Sequence, residues 1–333
     1  MPLSEFSLIE RFFARRAESG PRRAVLGIGD DCALLAPAPG QVLAVSTDML
    51  VEGRHFLPSV DPYCLGHKTL AVNLSDLAAM GAKPRAFTLA LAMEAPREAW
   101  LQAFAEGLFA LADRFECQLI GGDTTRGPLN LCVTVFGDVP AQAALRRDGA
   151  REHDDVWVSG TLGDARAALG VLRGEWPSSL FDERELASLQ HALDKPEPRI
   201  ALGLALRGLA HSALDVSDGL AGDLLHILER SRLDARIDVD AVPRSDAVRK
   251  LPLDAQRQCT LAGGDDYELI FTAPPGAREA IADAGARADV AVTRIGTISA
   301  LRHAADEPAI AWHDASHAQL SVTLQGFDHF DAN

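Results

Sequence analysis

Lysine is scarce in this chain: Lys68, Lys83, Lys195 and Lys250 are the only four in 333 residues. No GxxxxGK[ST] segment occurs, so a P-loop site built on a phosphate-binding lysine is excluded. HRD-type and DFG segments are missing, which excludes a protein kinase, and no GxSxG forms a hydrolase elbow. Gly27-x-Gly29 does not complete GxGxxG, which weakens a dinucleotide-binding reading. The five cysteines, Cys32, Cys64, Cys117, Cys132 and Cys259, form no CxxC pair. A zinc site or disulfide framework is therefore not expected, and a reducing cytosol is the default. No apolar run reaches the length of a membrane span. The residues from Met1 to Phe6 show neither the basic nor the apolar region of a secretory signal, so a cytoplasmic protein is expected. Positive charge is also short: 32 Lys and Arg face 47 Asp and Glu, a net −15. That balance argues against a nucleic-acid surface.

What is abundant is aspartate beside glycine, serine or threonine. Gly27-Ile28-Gly29-Asp30-Asp31-Cys32 sets the pattern. Ser46-Thr47-Asp48, Asn73-Leu74-Ser75-Asp76, Gly121-Gly122-Asp123-Thr124-Thr125, Asp215-Val216-Ser217-Asp218-Gly219 and Gly263-Gly264-Asp265-Asp266 repeat it. Taken singly, each is also an ordinary turn or helix cap. Adjacent carboxylates repel, however, and a buried pair needs a cation or several donors. All-oxygen ligand sets suit Mg²⁺, Mn²⁺ or Ca²⁺ rather than Zn²⁺. Bare glycine amides beside them suit phosphate. A nucleotide chemistry here has to rest on metal ions, which phosphoryl transfer allows, because it needs mostly alignment and charge neutralisation.

With 47% hydrophobic residues the chain can bury two cores. The apolar periodicity predicts an N-terminal helix with Phe6, Ile9, Phe12 and Phe13 on one face, ended by Gly20-Pro21. A strand over 41–46 delivers Thr47 and Asp48 at its C-terminal end. A long helix over 63–80 ends at Gly81 and sets Asn73 and Asp76, three apart, on one face. Strands are predicted over 86–92, 118–120 and 129–139, with Gly121 to Gly127 as a loop and a helix between Pro96 and Phe115. Polar, unpatterned composition near 141–154 marks a boundary between a domain of residues 1–140 and one of 141–333. The second half alternates strands (155–159, 213–214, 236–239, 267–272, 290–298) with helices, among them 200–209, 219–230 and 277–284.

Several segments together resemble the bacterial thiamine-monophosphate kinases: Glu5-Phe6-Ser7-Leu8-Ile9, Gly27 to Ala33, Ser46-Thr47-Asp48, Gly53-Arg54-His55-Phe56, Ala71 to Gly81, Gly121 to Thr125 and Asp215 to Leu220. The run Asn73-Leu74-Ser75-Asp76-Leu77-Ala78-Ala79-Met80-Gly81 is the most specific, and the resemblance reaches Phe327-Asp328-His329-Phe330. This family lies in the aminoimidazole ribonucleotide synthetase and selenophosphate synthetase superfamily. The resemblance implies an α+β fold of two domains. The N-terminal α/β domain, which binds ATP and magnesium, pairs its sheet across a homodimer into a barrel. The C-terminal mixed-sheet α+β domain completes the nucleotide and substrate site.

The resemblance further implies that Mg-ATP gives its γ-phosphoryl group directly to thiamine monophosphate, the last step of thiamine diphosphate formation. Several Mg²⁺ ions would be held by Asp31, Ser46, Thr47, Asp48, Asp76, Asp123, Asp215 and Asp218. Of these, Asp48, Asp76, Asp123 and Asp218 would carry the catalysis. Gly122, Asp123, Arg147 and Ser217 would contact ATP. His55, Asp265 and Phe327 would meet the thiamine phosphate. Asp265 stands where the family commonly has Glu. Asp30 and Asp266 are expected to satisfy backbone N–H groups instead. Two other readings stay open: an ATP-dependent synthetase acting on a ribonucleotide, and a non-catalytic metal- or nucleotide-binding module. A selenophosphate synthetase is disfavoured, because no Cys or Lys sits just before Gly27.

Overall fold

The computed structural model describes residues 5–20, 23–29, 31–301 and 307–320. The chain forms two compact α+β units, each built on one mixed sheet. The division in sequence falls between Gln142 and Ala143, with Ala78–Gly81 grouped with the second unit.

The first unit opens with α1 (Glu5–Leu8), a π-helical stretch (Ile9–Ala14) and α2 (Arg15–Ser19). The wider π turn lets the neighbours Phe12 and Phe13 both be buried, together with Leu8 and Ala17. Then come β1 (Val42–Val51), α3 (Pro62–Ala79), β2 (Lys83–Met93), α4 (Glu98–Arg114), β3 (Gln118–Arg126) and β4 (Asn130–Val139). The strand order is β1-β4-β2-β3. Strands β2 and β3 are parallel with α4 as their crossover, and β4 runs antiparallel to both β1 and β2. From Leu65 to Ala79 every residue of α3 is buried except Asp76. The covered residues include polar His67, Lys68, Thr69, Asn73 and Ser75, and the one acid of the helix, Asp76, is half-exposed.

Two expectations are corrected here. The first strand does not stop at Ser46 but runs to Val51, so Ser46, Thr47 and Asp48 lie in mid-strand. The segment read as the loop Gly121 to Gly127 is mostly strand β3, paired with β2 through Arg126. Gly122 has φ of +153°, and a Cβ there would sit 1.9 Å from the Leu89 carbonyl oxygen. The glycine serves close strand approach rather than a turn.

The second unit carries β5 (Asp155–Ser159), α5 (Asp164–Leu172), α6 (Glu183–Asp194), α7 (Ile200–Leu206), β6 (Ser212–Val216), α8 (Leu220–Ser231) and β7 (Leu233–Asp238). After them come α9 (Asp246–Arg249), α10 (Leu253–Ala262), β8 (Glu268–Ala273), α11 (Arg278–Arg287), β9 (Val292–Ala300) and β10 (Ile310–His313). The order is β10-β7-β9-β5-β8-β6, antiparallel except for the β10–β7 pair. Every residue of β5, β6 and β8 is buried. One core joins Val156, Val158, Leu214, Val216 and Ile270 to Leu220, Leu224 and Ile227 of α8. A second lies among α5, α6, α9 and α10. No helix among the described residues is long and apolar enough to cross a membrane.

Candidate active site

In the first unit the period-two alternation of β1 decides which side chains meet. Ser46 and Asp48 fall on the face that carries buried Leu50. Ser46 Oγ donates to Asp76 Oδ2 at 2.5 Å. Because β1 is an edge strand, its outward amides need acceptors from elsewhere. The Asp48 amide finds Asn73 Oδ1 at 3.1 Å, and Asn73 Nδ2 in turn donates to the Thr69 carbonyl at 3.2 Å. The Asn73 and Asp76 pair, one turn apart on α3, thus clasps Ser46 and Asp48. Thr47 points to the opposite face, where its hydroxyl lies 2.9 Å from that of Thr134. It is not brought together with Asp48.

Asp31 is exposed on a turn closed by the Leu34 N–H to Leu26 carbonyl bond of 2.9 Å. Asp30 and Phe327 lie outside the described residues. His55 ends the turn after β1, and its Nδ1 accepts the Val51 N–H at 3.0 Å. In the neutral ring that acceptor role puts the proton on Nε2.

Gly122 and exposed Asp123 lie on β3, the other edge of the sheet. Asp48 faces Val133, Val133 faces Leu89, and Leu89 faces Gly122. Three strand spacings, about 14 Å along the sheet, therefore separate the Asp48 and Gly122 positions. Among the described residues, no three His, Cys, Asp or Glu side chains converge at metal-binding spacing.

In the second unit Asp215 is buried on β6, and the chain then turns through Ser217 and exposed Asp218 into α8. Gly219 caps that helix with φ of +117°; a Cβ there would lie 2.8 Å from the Ala262 backbone. The loop from Gly263 to Tyr267 is tied to this turn. Asp265 N–H donates to the Ser217 carbonyl at 2.9 Å, and Tyr267 N–H to that of Val216 at 2.8 Å. Asp265 (φ +67°) and Tyr267 (φ +51°) are both left-handed, a strained conformation for side-chain-bearing residues that gathers at functional loops. Tyr267 Oη donates to Asp265 Oδ1 at 3.1 Å. Asp266 receives the Gly163 N–H on both oxygens, at 2.9 and 3.1 Å. Burial pushes its carboxyl well above the usual range, and the charges of Asp164, Glu268 and Asp265 add to the shift. Arg147 is exposed on the turn before β5, while Arg146 beside it is held by Asp148 at 2.6 and 2.9 Å.

Two acids escape a reading of the sequence. Glu268 is buried and takes a two-pronged Arg199 guanidinium, Nε at 2.8 Å, plus the Ser159 hydroxyl. Asp223 is 3% exposed, and its Oδ2 accepts the N–H groups of Ser217, Asp218 and Gly219 at 3.0, 3.1 and 3.1 Å. Burial, with the Asp218 charge adding, pushes the Asp223 carboxyl up to about 7. Its signal was available: it interrupts the apolar stripe Leu220, Leu224, Ile227, and a buried acid needs donors.

Comparison with known proteins completes the description. The AIR synthase related protein N-terminal domain pattern matches residues 29–139, and the corresponding C-terminal domain pattern matches 151–309. The thiamine-monophosphate kinase of Escherichia coli is 47% identical over 331 residues, 99% of each chain. That of Salmonella typhimurium is 48% identical over 301 residues, 90% of this chain and 92% of the relative. The crystal structure of thiamine-monophosphate kinase from Stenotrophomonas maltophilia superposes with a TM-score of 0.83 at 47% identity, covering 93% of this chain and 97% of that one. A solved complex of AaThiL with AMPPCP and TMP superposes with a TM-score of 0.74 at 28% identity, covering 99% of both chains. Two matched domain patterns and near full-length identity at this level leave one assignment: the chain belongs to the thiamine-monophosphate kinase family within the AIR synthase related proteins.

Proposed function

We infer that this protein transfers the γ-phosphoryl group of ATP to thiamine monophosphate in one in-line step, forming thiamine diphosphate and ADP in the cytoplasm. The observation that carries the reading is the 47% identity over 99% of both chains with a thiamine-monophosphate kinase. The site chemistry agrees. Magnesium in phosphoryl-transfer sites takes one or two carboxylates and leaves the other positions to phosphate oxygens and water. Ser46, Asp48 and Asp76 offer such a hard-oxygen set on one sheet face, with Asp31, Asp215 and Asp218 proposed as further ligands; Thr47 and Asp123 lie on the opposite face and are proposed to take part only in a second metal position. When bound, the metal neutralises charge on the transferring phosphoryl group. Asn73 fixes the strand backbone at Asp48. Gly122, Arg147 and Ser217 orient ATP, and His55, Asp265 and Phe327 orient the acceptor. Residues 1–140 would hold magnesium and the dimer contact, with 141–333 completing the site. ADP release, with the product identified by chromatography, tests the reading. Release with thiamine monophosphate but not with aminoimidazole ribonucleotide precursors is expected; the reverse, or none with either, overturns it.

The sheet supports the proposed dimer. Its uncovered face carries Val45 and Met49, 57% and 53% exposed, and an apolar face of this kind calls for a cover. A second copy closing the two sheets into one barrel would bury it. Asp123, paired with Ala90 and through Cys132 with Met49, shares that face, opposite Asp48. A dimer by light scattering at micromolar concentration is the expected result, and a monomer would remove the proposal.

Thiamine carries a cationic thiazolium, which a nearby carboxylate favours and a ribonucleotide, lacking a cationic ring, does not exploit. Asp265→Asn should therefore raise KM for thiamine monophosphate several-fold, with KM for ATP little changed. Asp265→Glu should be tolerated, since a water can bridge the one-methylene difference in reach at little loss. If Asp265 only caps its turn, Asn does so equally well, and an unchanged thiamine monophosphate KM would remove the substrate role.

A further inference from the structure

We propose that Asp223 is a positioning residue for the nucleotide, acting through the backbone of Ser217, Asp218 and Gly219; this rests on the function proposed above. Three successive amides converge on one carboxylate oxygen, at 3.0, 3.1 and 3.1 Å. Such a convergence is an anion-binding concavity, and at a helix N-terminus it is where phosphate is ordinarily taken. Here the protein's own carboxylate fills it from the first turns of α8, a helix whose N-cap Gly219 provides no side-chain cap. The consequence is specific. These amides are taken by Asp223, so the loop would serve Mg-ATP through the Ser217 hydroxyl and, by way of the metal, the Asp218 carboxylate. Their aim is then set by Asp223. The bond from Asp265 N–H to the Ser217 carbonyl, 2.9 Å, ties the thiamine-side loop to the same frame. A carboxylate that only capped α8 would stabilise the helix and leave both substrates indifferent to it.

The test pairs two readouts, amide hydrogen exchange of residues 217–219 in the ligand-free protein and the KM for Mg-ATP. In the wild type the three amides should exchange slowly. Asp223→Ala should speed that exchange at least tenfold and raise the Mg-ATP KM at least tenfold. Formate, which fits the emptied concavity, should restore part of both. Asp223→Asn, which retains an oxygen acceptor, should stay within threefold of wild type in both. Should Asp223→Ala fail to fold, Asp223→Leu replaces it, since it extends the apolar stripe of α8 and supplies no acceptor. Fast exchange in the wild type, or a variant without the acceptor that binds Mg-ATP normally, overturns the proposal. A wild type that does not phosphorylate thiamine monophosphate would instead overturn the function, with the exchange data still reporting on the clamp.

Discussion

Asp48→Asn is expected to abolish phosphoryl transfer and leave the protein folded. The substitution keeps size and shape, and the Asp48 backbone amide can still donate to Asn73 Oδ1, now 3.1 Å away. Asp48 is half-exposed at mid-strand, so the change falls outside the sealed core. What is lost is a full negative charge beside Asp76 and Ser46, on the face where magnesium is proposed to sit. Removing one preorganised charge-stabilising group from a transition state costs about 3–4 kcal/mol, roughly 10²–10³ in kcat. A metal ligand should cost at least that. The expected result is thus a collapse of kcat with a thermal midpoint within about 2 °C of wild type, less than the 2–4 °C that 1 kcal/mol shifts a chain of this class. Near-normal turnover at low magnesium would take Asp48 out of the site.

How much of this was legible beforehand divides along physical lines. The long apolar segment of α3 and its Asn73–Asp76 pair were readable, because a 3.6-residue period and a terminal glycine are local signals. The clasp onto β1 was not, since it depends on β1 being an edge strand, a fact of pairing order. Gly121-Gly122-Asp123-Thr124-Thr125 carries every local mark of a loop, yet tertiary pairing with Leu89 and Ala90 makes it a strand. The composition of α6 hid it among charges, although Asp182 and Glu185 form a capping box that its sequence announces. Strand β10 is four residues long and exists through its pairing with β7. Motif resemblance named Asp215, Ser217 and Asp218. The residue that holds the Ser217 and Asp218 amides, Asp223, belongs to no motif used and shows only as an acid in an apolar stripe.

The second large effect is on stability and concerns two glycines that face each other across helices α3 and α4. A Cβ at Gly107 would lie 1.9 Å from the Tyr63 carbonyl oxygen, and one at Gly66 would lie 2.0 Å from that of Phe104. Each glycine admits the other helix's backbone, so the obstacle is in both cases a main-chain atom that cannot rotate aside. Overpacking of this kind costs about 1–3 kcal/mol and occasionally more. A clash more than an ångström inside van der Waals contact belongs at the upper end. The gain in helix propensity from Gly to Ala, about 1 kcal/mol, offsets only part of it. Gly107→Ala and Gly66→Ala should therefore each lower the denaturant midpoint by the equivalent of about 2 kcal/mol or more, with the slope unchanged. Gly222, exposed on α8 with nothing within 4 Å of its would-be Cβ, is the control. Gly222→Ala should raise stability by about 0.4–1 kcal/mol. Because α3 carries Asn73 and Asp76, pushing it off α4 also disturbs the hold on Asp48. Gly107→Ala should accordingly lose kcat even at temperatures where it remains folded. A Gly107→Ala protein as stable and as active as wild type would mean that the two helices can part without moving the aspartates.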